Sequence, residues 1–140
     1  MFDEYIKTLE ELHSMFQSKK GLEIGLAWGH SARVYLESHP GATLTSIDPE
    51  NEWNVCLDNL IWIKGKSPED VPKEKYDFIY IDGNHDYGAV VEDIKVCRPM
   101  LNGVLAFDDY NRPNFGVTKA VDEMGLKPFF NKNHIIAFYV

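Results

Sequence analysis

The chain has 140 residues, enough for one domain, with 14 Lys and Arg against 22 Asp and Glu for a net charge of −8. Its 44% hydrophobic and 26% charged content is that of a globular protein and excludes a disordered or collagen-like chain. The acidic surplus argues against binding a phosphate backbone, so nucleic acid is not an expected partner. The longest apolar run, Ile135 to Val140, is far short of the roughly 20 residues a bilayer span requires. Asp3, Glu4, Glu10 and Glu11 stand where a leader would be basic and then apolar, so the expectation is a cytoplasmic protein with no membrane partner. Two cysteines, Cys56 and Cys97, are too few for a disulfide scaffold and are expected to be reduced helix residues.

Phe2, Ile6, Leu9, Leu12 and Phe16 recur at helical spacing and predict an amphipathic first helix. Gly21 to Gly25 (GLEIG) predicts a short strand running into a glycine loop, with Ser31 as the cap of the next helix and Pro40-Gly41 as its stop. Ala42 to Ile47 predicts a second strand ending at Asp48. The spacing of Trp53, Cys56, Leu57 and Leu60 suggests a helix, and Leu60 to Ile63 a third strand. Tyr76 to Ile81 (YDFIYI) is a run rich in β-branched and aromatic residues, as in central parallel strands buried on both faces. A helix follows with Tyr87, Val90, Val91, Ile94 and Cys97 on one stripe. Then come a fifth strand, Gly103 to Phe107, a short helix, Val117 to Met124, and a closing hairpin from Leu126 to Val140. Alternating strands and helices predict one α/β domain over 1–140, with an N-terminal helical segment (1–20) and a core (21–140). Its sheet is doubly wound, Rossmann-like, seven-stranded and mostly parallel, with an antiparallel C-terminal hairpin strand. Ligands of such sheets sit beyond the carboxyl ends of the strands.

The first such end reads Glu23-Ile24-Gly25-Leu26-Ala27-Trp28-Gly29-His30-Ser31. Gly25 permits a sharp turn and Gly29 a close approach to the helix start. The dinucleotide pattern G-x-G-x-x-G is absent, because Ala stands at 27 and His at 30. E-x-G-x-x-x-G-x-S followed by Asp48, 23 residues after Gly25, resembles the class I S-adenosylmethionine-dependent methyltransferases. The resemblance implies that the loop (Glu23, Gly25, Trp28, Gly29, Ser31) holds the methionine moiety and that Asp48 accepts both ribose hydroxyls. Ser67 would lie by the adenine, although Lys66 replaces the family's usual acidic or amide residue there; Ser67 is equally readable as a helix cap.

The fourth and fifth strands end in Asp82-Gly83-Asn84-His85-Asp86-Tyr87 and Asp108-Asp109-Tyr110. Carboxylates facing one another repel unless a cation lies between them or one is protonated, and hard oxygen ligands suit Mg²⁺, Ca²⁺ or Mn²⁺. This pattern resembles the metal-dependent O-methyltransferases of the catechol and macrolide-sugar type (methyltransferase domain 24-like). That resemblance implies Asp82, Asp108 and Asp109 as Mg²⁺ ligands, with Asp82 also on the cofactor side, and His85 as general base. Arg112 and Tyr110 would lie by the acceptor. His13, His39 and His134 read as surface residues. Few loop residues follow Asp109, so the acceptor side is expected to be open, or closed by a second subunit in a homo-oligomer. The expected partner is a small-molecule or glycan acceptor, and an open site suits a large one, such as a glycan or a protein-linked sugar, more than a buried small phenol. A nicotinamide-dependent oxidoreductase, an N-acceptor enzyme and a non-catalytic cofactor-binding module are the competing readings.

Overall fold

A computed structural model describes residues 2–140. Its strands are β1 (Lys20–Ile24), β2 (Thr43–Asp48), β3 (Leu60–Lys64), β4 (Tyr76–Ile81), β5 (Leu101–Phe107), β6 (Phe130–Lys132) and β7 (Ile135–Tyr139). They form one seven-stranded sheet in the order β3-β2-β1-β4-β5-β7-β6. β1 to β5 run parallel, and β7 pairs antiparallel with both β5 and β6. This is the Rossmann-like, mostly parallel sheet expected from the sequence, hairpin included.

The helices are α1 (Phe2–His13), α2 (His30–Ser38), α3 (Tyr87–Cys97) and α4 (Val117–Asp122), with a single 3-10 turn at Arg98–Met100. β4 shows why both sheet faces are covered. Its Phe78 and Tyr80 join a core with α1 and α2 that includes Leu9, Leu12 and Tyr35. Its Ile79 and Ile81 join the opposite core with Val90 and Ile94 of α3 and Val117 of α4. With a side-chain period of 2 the strand buries both faces; its one polar residue, Asp77 near its start, accepts from the Lys19 amide at 2.9 Å. No helix among the described residues is long and apolar enough to cross a membrane.

Three expectations need correction. The segment 51–59 is turns and loop, not a helix. The Asn51 side chain accepts from the Val55 amide (2.8 Å) and donates to its carbonyl (3.0 Å), Asn54 and Asn59 take positive φ, and Trp53 stays 60% exposed. Local side-chain-to-backbone bonds compete with the helical ladder, and no buried stripe is present to outweigh them. Cys56 is therefore an exposed loop residue; Cys97 lies buried in α3, and both are free thiols.

His13 and His39 are not surface residues either. Both are buried, their rings joined by a 3.0 Å hydrogen bond beside Tyr35 and Phe78. Burial, with His39 adding to it, pushes the His13 pKa down to about 3, so the pair is neutral and behaves as core. It docks the C-terminal end of α1 on the sheet, where Leu9 and Leu12 are fully buried; such side chains each contribute roughly 1.5–3 kcal/mol.

Candidate active site

Register brings the strand ends level. Ile24 pairs with Ile47 and Ile81, and Ile81 with Phe107, so Gly25, Asp48, Asp82 and Asp108 emerge side by side. The chain crosses from β1 through Gly25 at φ +97°, where a Cβ would lie 2.2 Å from the Asp82 carbonyl oxygen. Gly29 precedes α2 at φ +80°, and a Cβ there would meet Val55 at 2.6 Å.

Contrary to the expectation from the sequence, Ser31 does not cap α2. Helix α2 begins after Gly29 with no side-chain cap, and the Ser31 hydroxyl donates to Glu23 instead. Ser46 donates to the same carboxylate at 3.0 Å. Glu23 is buried, and burial pushes its pKa up to about 7, against the opposing pull of Ser31 and Ser46. Its raised pKa means the folded chain holds a proton that the unfolded chain has lost between pH 4.5 and about 7. That contribution to stability is complete below pH 4.5 and is lost as pH rises toward 7. Glu23→Gln should therefore gain stability relative to wild type by about 1.4 kcal/mol per pH unit across this window, read by urea unfolding at pH 5 and pH 7. A pH-independent difference would contradict it.

Asp48 closes β2 and grips the glycine loop. Oδ2 accepts from the amides of Leu26 (2.8 Å) and Ala27 (3.4 Å), and Oδ1 from that of Glu50 (3.0 Å). Oδ2 is filled by its two amides while Oδ1 keeps a lone pair, so the group can hold the loop and still accept a hydroxyl. Asp48→Ala is expected to weaken S-adenosylhomocysteine binding roughly ten- to hundredfold by calorimetry, the range for losing hydrogen bonds to a charged group. Ser67 lies elsewhere in the same edge of the molecule, donating its hydroxyl to Asp93.

A cavity of about 590 Å³ opens between the glycine loop and α1; Tyr5, Ala27, Trp28, Asp82, Asp108 and Arg112 are in its lining. This cavity is thus walled on one side by α1 of the same chain. Tyr5 reaches across to the Tyr80 hydroxyl at 3.1 Å, and burial raises the pKa of both phenols, which stay protonated. At the mouth, Trp28 meets Phe2 (4.9 Å between ring centroids) and Trp53 (5.4 Å). No pattern in the sequence marks Tyr5 or Phe2 as cavity residues; only the docking of α1 reveals them. His134, expected at the surface, also lines the cavity.

The floor of the cavity is acidic. Asp82, His85 and Asp109 each offer a ligand atom within 4.8 Å of the others. Asp109 is 9% exposed and sits at φ +64°, in the left-handed region that aspartate tolerates better than most side chains. Its Oδ2 faces His85 Nε2 at 2.8 Å, and its Oδ1 accepts from Arg112 Nε at 2.7 Å. The His85 ring stacks on Phe115 (4.2 Å, 9° between planes). Asp108 Oδ1 accepts from the Asp109 amide at 2.7 Å, so Asp108 stands beside the cluster and faces the cavity. Burial first, then Asp108 and Asp109, push the Asp82 pKa well above the carboxylate range; burial and Asp109 push Asp108 up to about 6. His85 lines a small void behind this floor, which shares Asp82 and Asp108 with the main cavity.

A glycine loop between β1 and α2, an acid closing β2 and a cleft over the parallel strand ends define a class I S-adenosylmethionine-dependent methyltransferase. Residues 22–110 match the family model described as "Methyltransferase domain", more than half of the chain, and the chain belongs to that family. The fold is also that of an N-methyltransferase, NodS, from Bradyrhizobium japonicum in complex with S-adenosyl-L-homocysteine. That match has a TM-score of 0.77 and 18% identity and covers 98% of this chain and 86% of the other. An O-methyltransferase from Bacillus cereus in complex with SAH matches with a TM-score of 0.70 and 15% identity, over 97% and 80% of the two chains. No curated protein sequence matches the chain.

Proposed function

We propose that this methyltransferase acts on oxygen, transferring the methyl group to a hydroxyl of a sugar or similar small acceptor with the help of Mg²⁺. The observation that carries this reading is the acidic cluster: Asp82 and Asp108 line the cavity beside the glycine loop, and Asp82 brings its carboxylate together with Asp109 and the His85 imidazole just behind them. A nitrogen acceptor needs no such cluster. The donor set fits a hard divalent ion, and Asp82 is the carboxylate of the floor that receives no hydrogen bond from the described residues. Asp82, Asp108 and Asp109 would hold the ion, which when bound lowers the pKa of an acceptor hydroxyl and fixes its position.

The cofactor, whose methyl carbon is electrophilic on its sulfonium, would lie over Gly25, Trp28 and Gly29, with its ribose on Asp48, its adenine toward Ser67 and Asp82 beneath its methionine end. Glu23 and Ser31 act from below, holding the loop in shape. His85 takes the acceptor proton. Because Asp109 is a carboxylate, the Nε2 facing it carries a hydrogen, which leaves the lone pair on Nδ1 to act as base. Trp28 and Phe2 offer the acceptor ring an apolar face at the cavity mouth. Because α1 already walls the cavity, one chain can form this site without a partner copy.

The test is calorimetric titration with S-adenosylhomocysteine, with NAD as control, followed by an acceptor screen with and without Mg²⁺. Binding of the former alone, turnover abolished by EDTA, and an Asp82→Ala variant that is inactive yet binds the cofactor within a few-fold of wild type are expected. Full activity in EDTA or in Asp82→Ala would remove the cation from the mechanism and favour a nitrogen acceptor. Failure to bind S-adenosylhomocysteine would remove the catalytic roles altogether.

A further inference from the structure

The acidic floor contains a positive charge of its own. Arg112 Nε donates to Asp109 Oδ1 at 2.7 Å while His85 takes the other oxygen, so both oxygens of this nearly buried carboxylate are already engaged by the chain. Arg112 is the only Lys or Arg among the residues that line the cavity, and it lines it together with Asp82 and Asp108. Its charge also pulls the pKa values of Asp82 and Asp108 down against the burial that raises them, which places the guanidinium within electrostatic reach of the whole floor.

The ligand atoms of Asp82, His85 and Asp109 converge on one point, and the guanidinium stands against the same Asp109 carboxylate. Two cations in one site repel, and at short range in a partly buried site the repulsion is large. Arg112 rises from a short exposed loop, 47% exposed along its side chain, so its head can turn outward without disturbing the sheet. We propose that Arg112 is an internal competitor of the divalent cation: its guanidinium and the metal contend for Asp109, and Arg112 sets how tightly the site takes metal. The inference rests on the metal reading of the site proposed above. It predicts a cation that is held weakly and exchanges readily, with Arg112 freed toward the cavity when the cation is bound.

The full chain is titrated with Mn²⁺, whose paramagnetism reports binding directly, in wild type, Arg112→Ala and Arg112→Gln. Both neutral variants are expected to bind Mn²⁺ at least about tenfold more tightly than wild type, with S-adenosylhomocysteine affinity within threefold. A second measurement uses the unaltered protein: the Arg112 Nε–H resonance should shift on saturation with Mg²⁺ as its bond to Asp109 is lost. Unchanged or weaker Mn²⁺ binding in the variants, no Mn²⁺ binding in any form, or an Nε–H resonance unmoved by Mg²⁺ overturns the proposal. Tighter Mn²⁺ binding in a protein that fails to bind S-adenosylhomocysteine would uphold the competition and overturn the methyltransferase reading alone.

Discussion

Replacing His85 with alanine is expected to lower kcat about 10²- to 10⁴-fold, the range for loss of a positioned general base, while S-adenosylhomocysteine affinity stays within threefold. Two contacts fix the ring. Asp109 accepts from Nε2, and Phe115 stacks flat against the imidazole face. The backbone adds a third restraint, since the His85 carbonyl accepts from the Gly116 amide at 2.8 Å and ties the loop after β5 to the loop after β4. The alanine variant keeps that backbone bond. The side chain itself is 44% exposed, so little stability should be lost and the fall in kcat should not reflect unfolding. Phe115→Leu should give a smaller loss, because it loosens the ring without removing it. A His85→Ala enzyme within threefold of wild-type kcat would exclude the base role. A variant that instead lost Mn²⁺ affinity would make His85 a ligand, as its place among the convergent donor atoms allows.

The strands and the acids that close them were legible because both depend on short-range pattern. After Asp77, the run FIYI has no polar break, so it must be buried on both faces. The residue after each apolar run is the one that leaves the sheet, and this puts Asp48, Asp82 and Asp108 at the cleft. Long-range pairing was not legible. Nothing near His13 in sequence announces that His39 will meet it in the core, and a histidine reads as polar until its partner is known. Trp53, Cys56 and Leu57 carry helical spacing, yet the Asn51 side chain closes a loop on Val55 that the spacing cannot reveal. Ser31 has the chemistry of a cap but finds a stronger acceptor in the buried Glu23, eight residues earlier in the chain. The same limit applied to the cavity. Tyr5 and Phe2 form its wall because α1 folds back across the strand ends, held there by contacts such as Asn133 Nδ2 to Thr8 Oγ1 at 2.9 Å, and short-range pattern says nothing about where a helix docks.

Gly25→Ala should be the most damaging single-methyl change in the cofactor loop. Two effects act together. The residue sits at φ +97°, where a side chain clashes with its own backbone at a cost of about 1–2 kcal/mol. The added Cβ would also stand 2.2 Å from the Asp82 carbonyl oxygen, a backbone atom of the neighbouring strand end that cannot turn aside as a side chain could. Relief requires β1 and β4 to part at their carboxyl ends, where the Asp82 amide donates to the Ile24 carbonyl at 2.9 Å and the Gly25 amide to that of Ile47 at 2.8 Å. Those bonds set the loop against Asp48 on one side and the acidic floor on the other. The expected outcome is a loss of about 3–5 kcal/mol in stability by urea unfolding, in the range where a single change marks a specific structural failure. In protein that remains folded, S-adenosylhomocysteine binding should weaken by about 10²-fold or more, because the Leu26 and Ala27 amides no longer meet Asp48. Gly41, also at positive φ but with nothing within 4 Å of an added Cβ, provides the comparison. Gly41→Ala should show only the conformational penalty and leave cofactor affinity unchanged. Equal losses in the two variants would mean that the close approach of β1 to Asp82 is not what shapes the cofactor loop.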